Sequence, residues 1–78
     1  MKKVIVFFNN HPPELLTVLM SVTSIRKVYP DGSQAHLKIL PTNLHLVFGS
    51  YRIIFIASDK PLRGRELMEA ASRLNAIG

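Results

Sequence analysis

Two apolar runs, Val4-Ile-Val-Phe-Phe8 and the stretch from Tyr51 to Ala57, restrict this chain more than anything else in it. Successive side chains on a strand point to opposite faces, so a run that is apolar at nearly every position needs cover on both sides. Seventy-eight residues make one small domain, 1–78. A chain of that size buries only about 60–65% of its unfolded surface. The cover must come from the rest of this short chain or from a second molecule.

Between the two runs the punctuation is clear. Pro12-Pro13-Glu14 has the form of a helix start, and Leu15, Leu16, Val18/Leu19 and Val22 follow at helical spacing. A helix over about 12–24 is expected. The β-branched residues between Thr17 and Thr23 support the alternative, a strand over about 17–29. Ile25–Tyr29 and Ala35–Leu40 flank Pro30-Asp31-Gly32-Ser33, where proline presets φ and glycine accepts a positive φ, so a β-hairpin is expected. Pro41-Thr42-Asn43 is expected to break its second strand.

A second hairpin is expected from Leu44–Phe48 and Tyr51–Ala57 around a type II′ turn at Gly49-Ser50. That register puts Leu44, Leu46 and Phe48 on one apolar face with Tyr51, Ile53 and Phe55. The C-terminal segment spaces Leu67, Ala70/Ala71, Leu74 and Ile77 as the buried stripe of an amphipathic helix, with Gly78 at its C-cap. The expected fold is α+β: strand, helix, hairpin, hairpin, helix, with an antiparallel-rich sheet and the C-terminal helix packed on it.

Ten Lys and Arg against five Asp and Glu give a formal charge of +5 and a pI near 10.1. That balance favours an anionic partner. Two basic groups stand out. Lys60, Arg63 and Arg65 gather at the start of the last helix, beside backbone N–H groups that attract anions, with Gly64 among them. The competing reading is a solvated surface, because Glu66 and Glu69 offset the charge. The second group is a basic arm on the Pro-Asp-Gly hairpin: Arg26, Lys27, His36 and Lys38. Arg26 and Lys27 are adjacent and so face opposite sides of a strand. The competing reading there is a set of charges that keeps an edge strand soluble.

Chemistry is sparse. With no cysteine and histidines only at 11, 36 and 45, no metal site and no cofactor is expected. No nucleophile–base–acid set is apparent. The Lys2-Lys3 start and the short run after it fall below signal-peptide length, and no run approaches a transmembrane span, so no membrane partner and a cytoplasmic location are expected.

Gly49-Ser-Tyr-Arg-Ile-Ile-Phe-Ile56 resembles a strand of the RelE/ParE-type toxins, small basic proteins with a similar order of elements. The likeness spans about a tenth of the chain, a length that hydrophobic strands reach by chance. It implies a ribonuclease-like toxin; separately, His45 with Arg52 and Tyr51 is an acid/base candidate, against the reading of a partly exposed sheet histidine. The family's basic catalytic set has no residue-by-residue counterpart here.

The leading expectation is a non-enzymatic regulatory protein that contacts nucleic acid or a nucleoprotein complex through Lys60, Arg63, Arg65, Arg26 and Lys38. The alternative is a protein-interaction module acting through a sheet edge or as a homodimer, which would cover surplus apolar surface. The toxin reading stands third.

Overall fold

The computed structural model describes residues 1–45 and 51–74. Six strands and one helix follow along the chain: β1 (Lys2–Phe7), β2 (Glu14–Val18), β3 (Ser24–Val28), β4 (Gln34–Lys38), β5 (Leu40–His45), β6 (Tyr51–Ser58) and α1 (Gly64–Arg73). Four strands form one sheet in the order β2-β1-β6-β5, and β3 and β4 form a separate two-stranded ribbon. β1 runs antiparallel to β2 and parallel to β6, and β5 runs antiparallel to β6.

The doubly apolar run has the double cover it requires. Ile5 and Phe7 join Leu44, Ile54, Leu67, Ala70 and Ala71 on the helix side of the sheet. Val4 and Val6 join Leu37, Ile39 and Ala57 on the ribbon side. The fold is thus three layers, ribbon, sheet and helix, with β1 and β6 at the centre. Val4, Ile5 and Val6 are the largest fully buried side chains.

The expected strand–helix–hairpin–hairpin–helix order is overturned. The molecule is sheet-dominated, and α1 is the one helix among the described residues. The segment expected as a helix over 12–24 contains β2 instead, and the alternative strand over 17–29 is divided between β2 and β3. Asn9 and Asn10 both take positive φ, 53° and 56°, and the His11 N–H bonds to the Phe8 carbonyl at 3.0 Å. Two consecutive positive-φ residues make a type I′ turn, which folds the chain straight back along β1. β2 then pairs with β1 from Lys2↔Val18 to Val6↔Glu14. Satisfying the hydrogen-bonding edge of a fully buried strand outweighs a local helix pattern that the β-branched residues already weaken.

Two further corrections concern β5. Pro41 does not break a strand; it sits within β5 opposite Phe55. β5 is an edge strand, where a missing N–H is tolerated. The pairing of β5 with β6 also differs from the expected register. Leu44 lies opposite Arg52, not Phe55, and His45 opposite Tyr51. An odd-numbered slip exchanges faces. Leu44 therefore joins Ile54 under the helix, and Ile53 is left 59% exposed. The Gly49-Ser50 turn, with Leu46 and Phe48, lies outside the described residues, as do Ile77 and Gly78.

The Pro30-Asp31-Gly32 loop behaves as its chemistry requires. The Gly32 N–H bonds to the Tyr29 carbonyl at 2.9 Å, and the Tyr29 N–H to the Ser33 carbonyl at 2.8 Å. Gly32 has φ +90°. This is the three-residue hairpin loop that ends on a left-handed residue.

Candidate nucleic-acid interface

The ribbon owes its geometry to its register. Ser24↔Lys38, Arg26↔His36 and Val28↔Gln34 are cross-strand pairs, so their side chains share one face. All six residues are exposed. The other face turns Ile25, Ala35 and Leu37 onto the sheet. Lys27 also belongs to that inner face and is held at its rim by Glu14, 2.6 Å from its Nζ. The outer face therefore carries Arg26, His36 and Lys38 together. None of the three has a carboxylate partner among the described residues.

The start of α1 is different. Arg63 is the N-cap and makes no side-chain capping bond, while Arg65 lies in the first turn. Arg65 pairs with Glu69 at 3.4 Å. Lys60 precedes the helix, 3.9 Å from Glu66 and donating to Asn10 Oδ1 at 3.4 Å. A Cβ at Gly64 would meet nothing within 4 Å, so no close packing demands glycine there. Of the three cations, only Arg63 lacks a carboxylate neighbour among the described residues.

The two basic groups sit on opposite sides of the four-stranded sheet, because the ribbon covers one face and α1 the other. They approach each other at one margin. There Lys38 and Lys60 line a cleft of about 390 Å³ floored by Leu40, Ile56, Leu62 and Leu67.

Sequence reading missed the residue that braces this architecture. Asp59 Oδ2 accepts the Asn9 N–H at 2.9 Å and the Tyr29 hydroxyl at 3.1 Å. The Asp59 N–H in turn bonds to the Phe7 carbonyl at 3.2 Å. One carboxylate thus ties together the β1–β2 turn, the ribbon tip and the β6–α1 connection. Tyr29 also packs on Phe8, ring centroids 4.5 Å apart. Partial burial pushes the Tyr29 phenol above its ordinary pKa, and its hydrogen bond to Asp59 and the negative charges of Asp59 and Asp31 add to the shift. At the ribbon tip, Asp31 accepts from the Ser33 hydroxyl and N–H, at 2.6 and 2.9 Å, which holds its carboxyl below the usual range. The only signal for the brace was an acid closing a buried strand, which gives no hint of its partners.

Among the described residues no group of three or more metal-ligating side chains converges. No helix is long and apolar enough to cross a membrane. The side chains of His45 and Tyr51 lie outside the described ones, so the His45, Arg52 and Tyr51 acid/base set has no geometry to report.

A family model described as the YnfN protein family matches residues 26–74. The chain belongs to the YnfN protein family. It is similar to "Uncharacterized protein YnfN" of Escherichia coli (strain K12), 33% identical over 46 residues, which cover 59% of this chain and 90% of that protein. No solved structure matches. The YnfN match runs from Arg26 in β3 to Leu74 after α1, so both basic groups fall inside it. β1 and β2 fall outside.

Proposed function

We propose that this YnfN-family protein is a small non-enzymatic nucleic-acid-binding protein of the cytoplasm that lays the outer face of its β3–β4 ribbon against duplex DNA. The observation that carries the reading is the register that aligns Arg26 with His36 and sets Lys38 on the same exposed face. A two-stranded ribbon fits the major groove, and its cations supply the phosphate contacts that dominate affinity. Arg26 and Lys38 are suited to phosphates, while His36 opposite Arg26 and Gln34 one pair nearer the ribbon tip can hydrogen-bond at base edges. The outer face has no Phe, Tyr or Trp, His36 is its one aromatic ring, and Tyr29 is turned inward against Phe8. Single-strand binding relies on aromatic stacking, so the duplex is the better fit.

The test is fluorescence anisotropy with a short labelled duplex across a salt series. With about two phosphate contacts, the logarithm of the affinity should fall with the logarithm of salt at a slope of roughly −2. Arg26→Glu with Lys38→Glu should remove most of that slope. A slope that survives the double change would reject the ribbon as the interface. Tighter binding to single-stranded RNA than to duplex would reject the duplex.

A second reading has one observation in its favour. Leu19, Met20 and Ile53 are 59%, 60% and 59% exposed. Met20 and Ile53 line one cleft beside Lys2. Such an apolar end suits contact with a second copy of the chain. A monomeric mass by light scattering at high micromolar concentration would dismiss it.

A further inference from the structure

The central strand of this molecule lies outside the segment that matches the YnfN family. That segment contains β4, β5, β6, α1 and all but the start of β3, which supply the buried residues on both faces of β1 and its parallel neighbour β6, while β2 pairs along its other edge. Ile54, Leu67, Ala70 and Ala71 bound it on the helix side, and Leu37, Ile39 and Ala57 on the ribbon side. The floor is the edge of β6, which pairs with β1 from Val4↔Phe55 to Phe7↔Ser58. The Escherichia coli relative has 90% of its length within 46 aligned residues. That leaves it no room for a hairpin the length of Lys2–Val18 as well as the matched elements.

Without β1 those walls would enclose a slot: an unpaired strand edge between two apolar surfaces. Such an edge accepts an added strand, with backbone hydrogen bonds for affinity and alternate side chains for fit. β1 meets this demand closely. It runs parallel to β6, is apolar at four consecutive positions, Val4 to Phe7, and is buried at all four. It is not joined to β6 by a turn. Its own β1–β2 hairpin is connected to the ribbon through Leu19–Thr23, with Lys2 Nζ on the Met20 carbonyl at 3.1 Å and Lys27 on Glu14 as side-chain ties.

We infer that the slot along β6 is a strand-acceptor site, and that the β1–β2 hairpin is its resident occupant, supplied in cis. The ligand class is an extended segment that runs parallel to β6 and carries apolar side chains at successive positions. In this chain the site is closed by its own N-terminal strand. The inference does not depend on what the ribbon binds.

The experiment uses the full chain with a protease recognition sequence inserted after Ser21, cut while folded. The two pieces should stay together in native buffer. A labelled synthetic peptide of residues 1–19 should exchange into the cut protein, replacing about nine-tenths of the resident strand at tenfold excess by mass action. The same peptide with Val6→Lys should fail to exchange. The inference is overturned if the pieces part and the larger one stays folded alone. It is equally overturned if neither peptide exchanges, if both exchange alike, or if a cut chain that unfolds does not recover when the unmodified peptide is added in excess.

Discussion

The ribbon carries four basic side chains, counting His36, and the start of α1 three, yet they present different surfaces. On the ribbon, strand alternation sends Lys27 inward to Glu14 and leaves Arg26, His36 and Lys38 together on an exposed face. At the helix, the 3.6-residue period brings acids back beside the bases: Glu69 one turn beyond Arg65, and Glu66 near Lys60. A count of charges in sequence measures neither surface. What matters is whether the local period returns an acid to the same face. Exposed pairs of the helix kind contribute little to stability, about 0–1 kcal/mol, but they lower the field that a phosphate would meet.

Several changes would break or sharpen this contrast. The largest effect is expected from Arg26→Glu with Lys38→Glu: duplex affinity should fall about tenfold or more, and the salt slope should shrink by about 2, with the melting temperature nearly unchanged. Anisotropy and thermal melts measure the two quantities separately. Leu37→Ala comes next. Its side chain is only 3% exposed and anchors the ribbon to the sheet, so the change should cost roughly 2–5 kcal/mol in a denaturant titration. It should weaken binding only in proportion to the unfolded fraction. If Leu37→Ala leaves stability intact, the ribbon is not docked as described.

At the helix, Arg65→Glu should change duplex affinity by no more than about threefold, and Glu66→Gln with Glu69→Gln should raise it by a similar factor by releasing Lys60 and Arg65. A loss from Arg65→Glu as large as that from the ribbon pair would reverse the ranking of the two surfaces.

The smallest effect concerns a link between the ribbon and the β6–α1 connection, the Tyr29–Asp59 hydrogen bond. The folded-state pKa of Tyr29 is raised above its ordinary 10.0. Its contribution to stability is therefore complete below that value and is lost as pH climbs through the higher folded one. Melting temperature should drop as pH rises past 10, and Tyr29→Phe should flatten that part of the drop. An unchanged alkaline slope would mean that the Asp59 brace does not control the titration.

What could be read in advance follows the same physics. The doubly apolar β1, the Pro-Asp-Gly loop and the Leu67/Ala70/Ala71 stripe are each set by residues within a few positions, and each lies in the fold where its pattern requires. The 12–24 segment was misread because the decision lies elsewhere: β1 needs a partner along its edge, and the Asn9-Asn10 turn returns the chain to supply one. The β5–β6 register was missed because it was inferred from a turn, whereas the Leu44–Ile54 contact under α1 holds it. The ribbon residues were visible in sequence as a basic arm. That Arg26, His36 and Lys38 share one face follows only once the Ser24↔Lys38 pairing is in hand. Asp59 was invisible because its partners, Asn9 and Tyr29, are 50 and 30 residues away.

The most direct check of the ribbon as a duplex-binding face is a residue-resolved titration. Uniformly ¹⁵N-labelled protein would be titrated with a short DNA duplex at low salt while backbone amide shifts are followed. The largest changes should fall on Arg26, Gln34, His36 and Lys38, with Arg65 and Glu69 nearly still. Shifts centred on Arg63 and Arg65 with a silent ribbon, or no shifts at all, would contradict it.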